Sequence, residues 1–194
     1  MIKLYDLAGA EADRRFSPYC WRIRLALEHK RQAVETVPWR FTEKEEIAFS
    51  GQGKVPVILD GQKILSGSWN IAEYLEGKYP EEPSLFGGSG ARAAIRFIES
   101  WTDTVLMNGI LPFIIMDLFN HLDQKDREYF RTSREQRLGV TLEQLGATRE
   151  RKIRAFNRVW DRSIGRLKIR PSSAEINQIM ETTLSLALSC GHGV

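Results

Sequence analysis

The sequence predicts an α/β unit followed by an all-α one, and three observations carry that prediction. Strand-like and helix-like segments alternate through the first third of the chain, the stretch from Pro80 to Gly90 turns to Pro, Glu, Gly and Ser, and beyond it only a helical period remains. The boundaries read as 1–82 for the first domain, 83–90 for a linker and 91–194 for the helical domain. With 194 residues, 42% of them hydrophobic, the chain is long enough to bury a sizeable core, and disorder is not the default.

The first strand is "IKLYDL". "SPYCWRIRLALEHK" follows as a helix: Ser17 suits the N-cap, Pro18 fits the first turn, and Cys20, Ile23 and Leu27 share one face. "AVETVPW" reads as a second strand and "TEKEEIAF" as a short polar helix. "VPVIL" and "KILS" form an antiparallel hairpin, because Asp60-Gly61-Gln62 between them has turn chemistry. "SWNIAEYLEGKYP" closes the unit as a helix that buries Ile71, Tyr74 and Leu75 and stops at Pro80. The order is therefore βαβαββα, with a mixed sheet. Past the linker, Ala94, Ile98, Trp101 and Val105 recur at steps of four, three and four. Pro112 predicts a kink or break in that helix, and "DREYFRTSREQRLGVTLEQL" reads as one further amphipathic helix. There is no internal repeat.

Composition removes several function classes. The net charge of +3 arises from 28 basic and 25 acidic residues spread along the chain, which gives no support to nucleic-acid binding. Arg14 and Arg15 read as a solvated loop, with an anion site as the alternative. Two cysteines, Cys20 and Cys190, make neither a disulfide framework nor a zinc spacing, and His29, His121 and His192 form no pattern, so no metal is expected. The N-terminus lacks a signal-peptide core, and no later stretch reaches the roughly 18–20 apolar residues of a membrane span. The expectation is a cytoplasmic protein without membrane partners.

The βαβαββα order resembles a thioredoxin-like fold. Beyond that, "LYDL", "SPYCWRIRLALEHK", "VPWRFTEKEEIAFSGQGKVPVILDG", "SWNIAEYLEGKYPEEPSLF" and "SREQRLG" resemble the cytosolic glutathione transferases, and within them the bacterial and fungal group that includes the lignin beta-etherases. The resemblance implies glutathione as co-substrate, a homodimer, and attack of a glutathione thiolate on a small hydrophobic electrophile such as an aryl ether. Ser17 stands at the family's activating position, where a hydroxyl at a helix N-terminus favours the sulfur anion. The same serine also suits a plain helix cap. Cys20 is either a buried structural thiol or a monothiol.

By the same resemblance, Pro56 is a cis-proline that turns Val55 toward the cysteinyl part of glutathione, against an ordinary trans proline at a strand edge. Lys54 meets the glycyl carboxylate or is solvated, and Ser68 holds the γ-glutamyl carboxylate or caps a helix. Gly67 departs from the family, which places Asp, Glu or Gln there for the γ-glutamyl ammonium. A charge-assisted bond worth about 1.5–3 kcal/mol is then missing. Tyr19, Trp39 and the residues near Trp101 to Met107 border a second-substrate pocket in this resemblance, although aromatics at such spacing are more often core. Two rivals stand beside the transferase: a non-catalytic binding protein with the same fold, and a glutaredoxin-like reductase using Cys20.

After "RKIRAFNRVWDR" the family continues into a buried helix introduced by Phe-(Ile/Leu)-Gly-Gly-Asp-x-Pro-x-Tyr-x-Asp-Tyr. Here residues 171–194 read "PSSAEINQIMETTLSLALSCGHGV", and codon degeneracy permits "FIGGDQPNYGDY" one base out of frame. The helical domain is therefore expected to be incomplete, with 171–194 out-of-frame sequence. The coding DNA across this stretch should spell the family pattern in its shifted frame; a shifted frame without it removes the expectation.

Overall fold

The computed structural model describes residues 1–88, 90–148, 152–153 and 156–158. The expectation for 171–194 lies outside the described residues. Packing divides the described residues into two compact units, Met1–Glu99 with Leu122–Tyr129, and Ser100–His121 with the described residues from Phe130 onward.

In the first unit the strands are β1 (Ile2–Leu7), β2 (Val34–Trp39), β3 (Val57–Asp60) and β4 (Lys63–Ser66), in the sheet order β2-β1-β3-β4. β1 runs parallel to β2 and antiparallel to β3, and β3–β4 is the hairpin expected across Gly61. This is the mixed sheet of a thioredoxin-like unit. The helices α1 (Pro18–His29) and α2 (Ser68–Lys78) close it, and Lys44–Ser50 forms a 3-10 helix where a short polar helix was expected. Alternation along β1 puts Ile2 and Leu4 on one face. They pack with Ile23, Ala26 and Leu27 of α1, Ile58 of β3, and Ile71 and Leu75 of α2.

Two buried charges join distant segments of this unit. Lys30 ends α1 with its ammonium 2.7 Å from Glu76 Oε2, and the ammonium donates to the Tyr79 carbonyl at 3.1 Å. Asp126 accepts from the Phe41 N–H at 3.2 Å, the Thr42 N–H at 2.9 Å and the Thr42 hydroxyl at 2.7 Å. The carboxylate thereby fixes the turn that leaves β2.

α3 (Arg92–Trp101) runs through a π turn, Thr102–Leu106, into α4 (Met107–Asn120). Of the kink or break expected at Pro112, the break is absent: the residue lies buried inside α4, since one missing N–H among many helical bonds need not end a helix. The irregularity falls upstream, in the π turn. The run Arg92–Asn120 spans 29 residues and includes 18 of mean hydropathy 1.4, long and apolar enough to cross a bilayer by length and composition. This corrects the expectation that no stretch reaches that length and composition; Arg92, Arg96 and Glu99 at its start mask the apolar run that follows.

The single helix expected over 126–145 is instead two, α5 (Gln124–Leu138) and α6 (Leu142–Ala147). Gly139 takes φ +70 between them, and Thr141 and Gln144 form a capping box that starts α6. In the second unit, Leu142 and Leu145 of α6 are buried, and so are Phe113 and Ile115 of α4. A Cβ on Gly109 of α4 would stand 2.6 Å from the Phe156 ring, so only glycine admits that approach.

Replacing Asp126 by Ala removes the acceptor of the buried bond from the Phe41 N–H and of the partly buried bonds from the Thr42 N–H and hydroxyl, and is expected to lower unfolding free energy by about 3 kcal/mol. Thr42→Val, which keeps both backbone bonds, is expected to cost about 1 kcal/mol. Urea titration followed by circular dichroism reads both; an Asp126→Ala loss no larger than that of Thr42→Val would contradict the assignment.

Candidate functional site

The sheet register gathers the site. Tyr5 of β1 pairs with Val57 of β3, so the chain leaving β1 and the chain entering β3 lie at the same end. The first carries Ser17 to the head of α1. The second carries Val55-Pro56, and its peptide bond is cis, as the resemblance implies. The Gly67 N–H donates to the Pro56 carbonyl at 3.2 Å, which ties the head of α2 to that same end.

Ser17 is the N-cap of α1, 5% exposed, and its Oγ accepts the Cys20 N–H at 3.4 Å. The two roles left open by the sequence are compatible, because a hydroxyl that accepts through a lone pair still has its proton to donate. The helix behind it directs partial positive charge toward a nearby anion.

Ser68 is the first residue of α2 rather than its cap; Gly67 caps it, and no side chain does. The alternative of Ser68 as an N-cap is thereby corrected, and the cause is the backbone at Gly67. It adopts φ +82 and ψ 130, a conformation that favours glycine. Lys54 is exposed, with its N–H donating to Gln52 Oε1 at 2.8 Å. Val55 is half-buried and Pro56 buried.

Tyr19 is 37% exposed, whereas Trp39 is 2% exposed, donates its indole N–H to the Glu43 carbonyl and lies edge-on to Phe41. Of these two, Tyr19 has surface to offer a ligand.

The sequence reading misses a buried charge cluster behind Ser17. Asp6 continues the inward face of Ile2 and Leu4 and is wholly buried. Arg15, expected in a solvated loop, is buried as well, with its Nη1 3.6 Å from Asp6 Oδ2. Arg24 of α1 approaches the same oxygen at 3.7 Å. The signal was the period of two along β1, which places residue 6 with residues 2 and 4.

Burial pushes the Asp6 carboxyl up, and the Arg15 and Arg24 charges only partly oppose it. Burial, reinforced by the Asp6 charge, pushes the Cys20 thiol up to about 12. Among the described residues no group of three or more His, Cys, Asp or Glu side chains is placed to hold a metal ion.

Comparison with known proteins gives a consistent family signal. The glutathione S-transferase N-terminal domain model matches residues 12–83 and the glutathione S-transferase C-terminal domain model matches residues 93–187. The chain is 37% identical over 110 residues to a zeta-class glutathione S-transferase of Euphorbia esula, covering 54% of this chain and 47% of the relative. It is 30% identical over 109 residues to glutathione S-transferase Z2 of Arabidopsis thaliana, with the same two shares, 54% and 47%. The chain thus spans about half the length of these curated relatives.

Among solved structures it resembles glutathione transferase GSTFuA3 of Phanerochaete chrysosporium at 27% identity and TM-score 0.66, over 79% of this chain and 70% of that one. It shares the fold of the Ceriporiopsis subvermispora transferase CsGST63524, solved in complex with glutathione, at 24% identity and TM-score 0.70 over 84% and 73%.

With its thiol pushed up to about 12, Cys20 is only about one part in ten thousand thiolate at pH 8. Iodoacetamide should therefore leave Cys20 unlabelled in the native protein and label it once urea unfolds the chain, read by peptide mass spectrometry. Native labelling at the pace of a free thiol would overturn this.

Proposed function

Because the chain belongs to the glutathione S-transferase superfamily, we propose that it transfers glutathione to electrophiles and that Ser17 donates a hydrogen bond to the glutathione sulfur. The observation that carries this reading is Ser17 itself: a buried hydroxyl at the head of a 12-residue helix, accepting from the Cys20 N–H and retaining its proton. A free thiol is only a few per cent thiolate at neutral pH. Each unit by which the donor and the helix end lower the sulfur pKa stabilises the anion by about 1.4 kcal/mol. The thiol proton leaves to water, the thiolate attacks an electrophilic carbon, and the leaving group departs with the bond's electron pair as a thioether forms. For an aryl ether, the electrophile class suggested by the beta-etherase likeness, the leaving group is a phenolate.

Glutathione lies along the gathered end of the sheet in this reading. Val55, beside the cis Pro56, offers backbone hydrogen bonds to the cysteinyl part, exposed Lys54 meets the glycyl carboxylate, and Ser68 at the head of α2, which no side chain caps, holds the γ-glutamyl carboxylate. Tyr19 borders the electrophile. A homodimer fits the apolar side chains on the outside of α3, where Phe97 is 71% and Ile98 53% exposed. A cytoplasmic location belongs to the same proposal.

A binding protein that keeps the fold without catalysis is the second reading, favoured by Gly67, which offers no side chain to the γ-glutamyl ammonium. A monothiol reductase using Cys20 is disfavoured by the burial and weak acidity of that thiol.

Ser17→Ala is expected to lower kcat toward a generic aryl halide by about tenfold and to raise the pKa of the bound thiol by about 1, with KM for glutathione little changed. Unchanged kcat and unchanged bound-thiol pKa would remove Ser17 as activator. Calorimetry on the unaltered chain separates the readings further, since glutathione binding without turnover selects the binding protein.

A further inference from the structure

The Asp6 carboxylate is wholly buried, and among the described residues neither oxygen has a partner of good hydrogen-bond geometry, although the Cys20 thiol and the Leu7 N–H approach it. Such a group calls for an explanation. Four groups face it or its partners from the surrounding elements: Arg15 from the loop after β1, Arg24 and Cys20 from α1, and, acting on Arg15, Arg40 from beyond β2. Its ion pairs, at 3.6 and 3.7 Å, are long.

Stability does not account for it. Burial wins over both guanidinium charges and raises the carboxyl pKa, so the stability that Asp6 contributes is present below its ordinary value of 3.8 and is lost as pH rises through the raised value. When ionised, the side chain is a burden on the fold.

What the carboxylate does is fix two arginines, and both lead to Ser17. Arg15 lies two residues before the serine, its Nη1 also donates to the Asp6 carbonyl at 3.5 Å, and its Nε donates to the Ala12 carbonyl at 2.5 Å. Its own carbonyl accepts the Trp21 indole N–H at 2.9 Å, and Arg24 stacks on that indole at 4.4 Å. The Gly9 N–H closes the loop on the Arg14 carbonyl at 2.9 Å. Asp6, Arg15, Trp21 and Arg24 therefore form a frame around the loop and first turns of α1 that carry the hydroxyl.

We propose that Asp6, acting through Arg15 and Arg24, is the positioning residue for Ser17, holding its hydroxyl where it meets the glutathione sulfur. This rests on the serine reading of the site.

The test uses Asp6→Asn, which keeps shape and removes charge, and Arg24→Gln, whose arginine is partly exposed and whose loss the fold tolerates better. Both are measured for glutathione binding by calorimetry, for bound-thiol pKa by thiolate absorbance, and for kcat and KM with an aryl halide. The expected result, for each variant that folds by circular dichroism, is binding within about threefold, a bound-thiol pKa raised by about 1, and kcat lowered on the order of tenfold. Combined with Ser17→Ala, each should add little, because both act through one hydroxyl.

A purely structural role would lower the melting temperature and leave the bound-thiol pKa of the folded protein untouched. That result, in Asp6→Asn or, should it not fold, in Arg24→Gln, overturns the proposal while a Ser17→Ala effect keeps the serine reading intact. A silent Ser17→Ala, or no glutathione binding by the unaltered chain, overturns both.

Discussion

The antiparallel register of β1 on β3 is the constraint on which the rest of the first unit depends. Pairing Tyr5 with Val57 fixes which end of the sheet receives the chain leaving β1 and the chain entering β3. A slip of one residue would turn Ile2 and Leu4 out of the core and Tyr5 into it, so the apolar alternation of β1 specifies the pairing. Once that register is set, the head of α1, the cis Val55–Pro56 peptide and the head of α2 share one end without further instruction. Site and core are consequences of the same pattern.

Charge buried beside this frame fixes what the sheet leaves free. Lys30 reaches the carbonyl of Tyr79, Asp126 reaches the turn at Phe41 and Thr42, and Asp6 holds Arg15, each joining segments separated in sequence. Asp126 has its partners at hydrogen-bond distance, whereas Asp6 has charges nearby and, among the described residues, no partner of good hydrogen-bond geometry. Interactions of the second kind contribute little net stability, yet removing one partner strands the other. They are suited to specifying one arrangement of a loop.

Local chemistry made most of this legible. Turn residues at Asp60–Gln62, the serine-proline start of α1 and the helical stripes through Ile23, Leu27, Ile71 and Leu75 each announced their element. Ser17 and Pro56 were legible through their place in motifs. What escaped depended on competition between signals. An amphipathic stripe ran through Gly139 and masked the capping box at Thr141, and Pro112 read as a kink or break although the helix continues on both sides of it. Asp6 and Arg15 escaped for a different reason: a charged residue reads as solvated unless the strand period is followed strictly into the core.

Gly67 shows how fold and ligand compete for one position. Its φ of +82 would strain any side chain by about 1–3 kcal/mol. The charge-assisted bond that an acidic side chain would make there is worth about as much, roughly 1.5–3 kcal/mol. A single base change converts a glycine codon to one for aspartate or glutamate, so the two solutions are mutational neighbours separated by almost no free energy when ligand is bound. Without ligand, glycine is favoured by the whole of the strain. In a chain that binds such a ligand there, the fraction of time spent occupied would therefore set which of the two residues is the more stable choice at this turn.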